Sequence, residues 1–408
     1  MNEFIIAIYR LVIGTVKYFL KNRIIKVWPT SLRPIVQVRQ GQLRGITTTL
    51  PNGRPYHYFK GIPYAKPPVG DLRFKPPVAI DKFYTSVVDC AVDREEFIQA
   101  NMYIPFIIRG SEKALYLNVF TPKLPDKFNS NPQLPVMIFI HGGGYIYGSA
   151  LTFMHDPVHL VQEGVIVVVM NYRLGPFGFL SLPSMGVAGN AGLKDQAMAF
   201  KWVKENINLF GGDPGNVTIY GNSAGSWSTY LHYLSVNSRK YFNRAICQSG
   251  IVCTKSFFQT DPEQKARKLA KILGYKGNCD QGVYDTLMKA PAHLLVKHQH
   301  DVANEDEKKL SMNFLFRPVI EQIETEDSII TTTPEELLKQ FDTIQTPLIT
   351  GCTDSEGILP ILLIRRKNQT KAFRREPERL VPCFLRDDPA LDLAEVGKQI
   401  RHFYFGSR

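Results

Sequence analysis

A chain of 408 residues has room for one large domain or two ordinary ones, and 44% hydrophobic against 21% charged residues is a globular composition that excludes a disordered chain. The net charge of +12 collects in two clusters, one from Arg10 to Arg33 and one in "RRKNQTKAFRREPER" from Arg365 to Arg379. No aromatic-interleaved or metal-finger motif accompanies them, so they read as solvated surface and argue against a nucleic-acid partner.

The first 30 residues form a segment of their own. The apolar run is cut by Arg10 and Lys17, Glu3 sits where a signal peptide carries positive charge, and no small-x-small cleavage site follows. A basic amphipathic helix fits, with residues 4–28 lying on a membrane or lipid-droplet surface. A helix packed on the main domain fits equally, and a signal anchor is the third reading. Residues 31–408 read as the second unit. "VQVRQGQLRGITTTL" alternates with glycine interruptions, as an early antiparallel ribbon would. "LPVMIFI" (134–140) and "GVIVVVM" (164–170) are short apolar runs, the pattern of strands buried on both faces of a mostly parallel sheet. Residues 190–210 have helical spacing, with Leu193, Met198, Phe200 and Val203 on one stripe. "NVTIY" (216–220), "RAICQSG" (244–250) and "TPLITG" (346–351) follow as strands. Strand, helix, strand in alternation is the sign of an α/β fold.

The six cysteines form no compact framework, which points to reduced thiols in an intracellular protein. The sequons at Asn216 and Asn368 then carry no glycan. "HQH" (298–300) reads as an exposed polar helix end in preference to a metal pair.

Two motifs carry chemistry. Gly221-Asn222-Ser223-Ala224-Gly225 fits G-x-S-x-G and lies between a strand and the helix "AGSWSTYLHYL". That context makes Ser223 a candidate nucleophile on a sharp turn, exposed at a helix N-terminus. His141-Gly142-Gly143-Gly144 follows a strand, and its glycines let backbone N–H groups converge. With the amide after the serine, the candidate oxyanion hole is Gly143, Gly144 and Ala224. A phosphate loop would want Lys-Ser/Thr after the glycines, and "YIYG" stands there. His141 reads as pinning the loop.

Together these motifs resemble the type B carboxylesterase and cholinesterase family, most closely its insect intracellular alpha-esterase branch. "FKGIPYAKPPVGDLRFKPP" (59–77), "LYLNVFTP" (115–122), "NYRLGPFGFL" (171–180) and "GNAGLKDQAMAFKWVKENINLFGGDPGNVTIYGNSAG" (189–225) carry the likeness from about residue 35 onward. The resemblance implies an α/β-hydrolase fold and hydrolysis of small-molecule or lipid-like esters through an acyl-serine, with no metal or organic cofactor. It also implies detoxification of foreign esters. "GCTDSEG" (351–357) matches the family's acid loop and makes Glu356 the counterpart of the triad acid.

Departures from the family pattern set further expectations. The triad order is serine, acid, histidine, and the sole histidine after Glu356 is His402, in a segment similar to a family helix that precedes the catalytic loop. The expectation is therefore a fold incomplete at its C-terminal end, without the catalytic histidine, and either impaired or turned to ligand sequestration. Asn222 stands where the family elbow carries a glutamate, which removes a buried charge, and Ser226 replaces the last glycine. Ala114 stands where secreted relatives carry a half-cystine, leaving Cys90 without that partner. Cys253 and Cys279 match the family's second pair.

Overall fold

The computed structural model describes residues 33–101, 107–126, 132–252, 257–309, 314–339, 344–358, 375–382, 385–386 and 388–406. The N-terminal segment 1–30, with its expected surface helix, lies outside the described residues, as do Asn368 and Cys253.

An eight-stranded sheet organises the chain. Its strands are β1 (Ile46–Thr49), β2 (Pro55–Pro63), β3 (Tyr116–Thr121), β4 (Leu134–Ile140), β5 (Ile166–Met170), β6 (Gly212–Asn222), β7 (Arg244–Gln248) and β8 (Leu348–Gly351). They lie in the order β8-β7-β6-β4-β5-β3-β2-β1. From β5 to β8 the neighbours are parallel, and β1, β2 and β3 are antiparallel additions. This is the α/β-hydrolase architecture. The early ribbon is also present, Ile35–Val38 pairing antiparallel with Gly41–Arg44 in a separate small sheet.

The parallel strands need cover on both faces, and β5 has it: every residue from Ile166 to Met170 is buried. In β4 only Val136, Ile138 and Ile140 are fully buried. Met137 and Phe139 are half-buried, and Phe139 packs on His155 and Tyr220 at ring distances of 4.8 and 5.0 Å. Two helices matter for the site. α1 (Ala191–Asn206) buries Leu193, Phe200 and Val203, while Met198 is half-buried at the edge of the stripe. α2 (Ala224–Leu234) crosses from β6 to β7 and is buried along nearly its whole length.

A buried ion pair locks α1 to the segment after β5. Arg173 and Asp195 are 1% and 0% exposed, and the guanidinium grips the carboxylate through Nε (2.8 Å) and Nη2 (2.7 Å). The Arg173 amide adds a third bond at 3.0 Å. Burial pushes the Asp195 carboxyl up, and Arg173 opposes it. At the far end, α3 (Leu393–Phe405) is capped by the Asp392 carboxylate and carries His402 exposed. The 298–300 segment follows the helix Ala292–Lys297. It is not simply exposed: Gln299 is buried against Gly175, and His298 is half-buried beside Asp301 at 2.7 Å. Cys90 is a buried free thiol and Cys279 an exposed one.

Candidate active site

β6 passes into α2 with only Ser223 between them. Ser223 has φ 56° and ψ −122°, a conformation that a non-glycine residue holds only when its surroundings impose it. The flanking glycines show how. A Cβ on Gly221 would stand 2.3 Å from the Gly225 backbone, and one on Gly225 would stand 2.0 Å from the Ile140 carbonyl oxygen. No side chain fits at either place. The Ser223 amide donates to the Gln248 carbonyl at 2.9 Å, and its own carbonyl accepts from the Trp227 amide at 3.0 Å. Asn222 is exposed, its amide 3.4 Å from the Gln248 carbonyl, so the position does not hold a buried group here. Ser226 is buried and donates to the Gly250 carbonyl.

The glycine loop comes up against this turn. A Cβ on Gly142 would lie 2.5 Å from the Asn222 carbonyl oxygen and 3.2 Å from the Ser223 Cβ. Gly143 (φ 111°) and Gly144 (φ 62°) then take backbone angles that side chains disfavour. Among the described residues their amides donate to no acceptor, and Ala224, first in its helix, has no intrahelical acceptor. The structure therefore brings Gly142, at the head of the glycine loop, against Ser223, with Ala224 opening the helix beside it.

His141 is fully buried, its Nδ1 2.9 Å from the Gly142 carbonyl and its ring stacked on Tyr172 at 4.3 Å. Burial pulls it down to about 3, so it stays neutral and pins the loop. Glu356 lies on the turn after β8, exposed. The Ser249 hydroxyl and the Thr353 amide, the latter at 2.9 Å, hold its carboxyl below the usual range. Ser249 directly follows Gln248, so Ser223 and Glu356 are both anchored to the end of β7. Asp354 is exposed on the same turn.

Among the described residues no histidine ring hydrogen-bonds Ser223. His232 is held between Gln196 (2.9 Å) and Ser238 (3.0 Å), His57 lies by the Thr47 hydroxyl (2.9 Å), and His155 packs on Phe139. Nor do the described residues contain a group of three or more His, Cys, Asp and Glu able to hold a metal ion.

Sequence reasoning missed an aromatic wall. Trp227, one helical turn after Ser223, meets Phe257 at 5.0 Å, Phe314 at 6.2 Å and Tyr145 at 6.3 Å between ring centroids. Phe314 lies against Gly144, where a Cβ would come within 2.1 Å of its ring. These residues come from four separate segments, and only Trp227, inside the elbow helix, and Tyr145, directly after the glycine motif, could have been placed from the sequence.

The model of the carboxylesterase family matches residues 32–407. The chain is 37% identical to esterase B1 of Culex pipiens over 81% of this chain and 60% of that protein. It is 35% identical to juvenile hormone esterase of Tribolium castaneum over 93% and 65%. A carboxylic ester hydrolase of Bombus ignitus is 33% identical over 93% and 67%. The chain thus spans 60 to 67% of the length of these relatives. The crystal structure of juvenile hormone esterase from Manduca sexta, with OTFP covalently attached, superposes with a TM-score of 0.79 at 31% identity, covering 91% of this chain and 70% of that one.

Proposed function

Because the chain belongs to the carboxylesterase family, we propose that it is a carboxylic ester hydrolase working through an acyl-serine. Ser223 Oγ attacks the ester carbonyl carbon as its proton passes to water. The negative charge that develops on the carbonyl oxygen is taken up by the amides of Gly143, Gly144 and Ala224. The ester C–O bond then breaks, the alcohol leaves with a proton, and water releases the acid from Ser223. Glu356 is the acidic member of the set. The observation that supports this reading is the strained Ser223 with the glycine loop packed against it at Gly142. The aromatic wall favours uncharged small-molecule or lipid-like esters with an apolar acyl group.

Among the described residues no histidine ring hydrogen-bonds Ser223, so in this reading its proton passes to water. Loss of a triad histidine lowers turnover by up to about 10⁶, and an oxyanion hole alone retains roughly 10³–10⁴ over water. The same observation favours a second reading, a relative that binds esters or their acids without turning them over. A fluorophosphonate probe separates the two. Stoichiometric labelling mapped to Ser223 within minutes supports the hydrolase. Absence of labelling over a day, with the fold intact, leaves only the binding protein.

A further inference from the structure

The glycine loop is gripped at its far end by a side chain that no motif marks. Gln99 is 4% exposed and lies on the short strand Gln99–Ala100, paired antiparallel with Ile108–Arg109. Its carboxamide pairs with the peptide groups of Gly148. Nε2 donates to the Gly148 carbonyl at 2.8 Å, and the Gly148 amide donates to Oε1 at 2.8 Å. The second Nε2 hydrogen goes to the Phe97 carbonyl at 3.0 Å. Both hydrogens of the amide are thus engaged, which fixes the plane of the side chain.

Two ties from the same segment reinforce the grip. The Ser149 side chain hydrogen-bonds the buried Glu96 carboxylate. Asn171 bridges the two segments, accepting from the Ala150 amide at 2.7 Å and donating to the Glu95 carbonyl at 3.0 Å. The loop's near end is held by the Tyr172 hydroxyl on the His141 carbonyl at 2.8 Å. Between these ends Gly143, Gly144, Tyr145 and Gly148 all have positive φ (111°, 62°, 63° and 110°). A backbone of this kind persists only where its surroundings over-determine it. Gly148 also lies directly on His141, since a Cβ there would come 2.2 Å from Nδ1. A shift at Gly148 is therefore felt at the residue that begins the oxyanion glycines.

We propose that Gln99 is a positioning residue for the oxyanion loop, its carboxamide setting the direction in which the Gly143 and Gly144 amides point. The catalytic consequence rests on the acyl-serine reading; the effect on the loop does not. Two variants test it. Gln99→Glu keeps the length and the acceptor for Gly148, but sets a carboxylate oxygen against the Gly148 and Phe97 carbonyls. Gln99→Met keeps the length, removes every hydrogen bond, and carries the test where Gln99→Glu does not fold. Hydrogen exchange of a peptide spanning residues 141–149 is expected to speed up by roughly tenfold or more. Phosphonylation of Ser223 by a fluorophosphonate is expected to slow on the order of 10- to 100-fold. Inhibition by a trifluoromethyl ketone should weaken by a similar factor, while KM for p-nitrophenyl butyrate changes less than about threefold. Exchange that stays at the wild-type rate overturns the proposal. So does a loss of KM as large as the loss of phosphonylation rate. Ser223→Ala serves as the control: labelling that survives it sinks the nucleophile assignment, and the exchange result still decides the role of Gln99.

Discussion

The Ser223 amide donates to the Gln248 carbonyl, a bond of 2.9 Å from the turn after one strand to the last residue of the next. The serine's unusual backbone angles are thus held from outside its own strand. Ser249, the next residue of that neighbouring strand's end, holds Glu356. Two members of the proposed catalytic set share one support.

The first consequence concerns the elbow glycines. Gly225→Ala places a methyl group 2.0 Å from the Ile140 carbonyl oxygen, a backbone atom that cannot turn aside. We expect a loss of about 1–3 kcal/mol in urea unfolding and a matching loss of serine labelling. A variant as stable as wild type, labelled at the wild-type rate, would show that the strand–helix packing is looser than described.

The buried ion pair gives an asymmetric pattern. Asp195→Ala leaves the Arg173 guanidinium buried without its carboxylate and is expected to lower stability by about 3–5 kcal/mol. Replacing both partners, as Arg173→Met with Asp195→Leu, should be milder than the single change. Equal losses for the two variants in denaturant titrations would contradict this.

Acid should weaken the fold through its histidines. Burial holds His141 and His232 down to about 3 and His155 to about 4, against an ordinary 6.5. Each is neutral when folded, while the unfolded chain takes up a proton near pH 6.5. The unfolded state thus binds more protons below that value, and stability falls as pH drops from 6.5 toward the folded values. At pH 5 each buried ring accounts for a loss of about 2 kcal/mol relative to neutral pH. Thermal midpoints measured from pH 7.5 to 4.5 test this, and a His232→Gln variant should show a shallower acid limb. An acid limb of unchanged steepness would mean that His232 is not held neutral.

The aromatic wall predicts selectivity. Phe314 lies against both Trp227 and Gly144, and the acyl-serine reading makes it part of the acyl wall. Phe314→Ala is expected to shift preference toward longer p-nitrophenyl esters by roughly tenfold in kcat/KM. A parallel decline across the ester series would assign the ring to packing alone.

Much of the scaffold was legible because its signals are local. Residues 134–140 and 216–220 are apolar runs of strand length, and the serine turn lies between a strand and a helix whose limits, Ala224–Leu234, can be read from the sequence. Gly221 and Gly225 are glycines because backbone passes where a Cβ would be, and the G-x-S-x-G pattern records that contact. What could not be read depends on distant segments. Gln99 reaches Gly148 from 49 residues away, and Phe314 reaches Trp227 across 87 residues, 314 − 227. Neither has a neighbour in sequence that announces the contact. The exposure of Asn222 has a similar origin: it depends on what surrounds the elbow, which the pentapeptide does not encode.

β8 lies at one margin of the sheet, with β7 on one side only among the described residues, and Ile349 on it is 64% exposed. Where its outward main-chain groups meet solvent, they can bond water or a strand of another molecule. Protein concentration thereby becomes an experimental variable in its own right. Glu356 follows this strand by five residues, so two molecules that pair along it would crowd the proposed acid. A specific activity that declines as the protein is concentrated would then report self-association, and dilution would restore it.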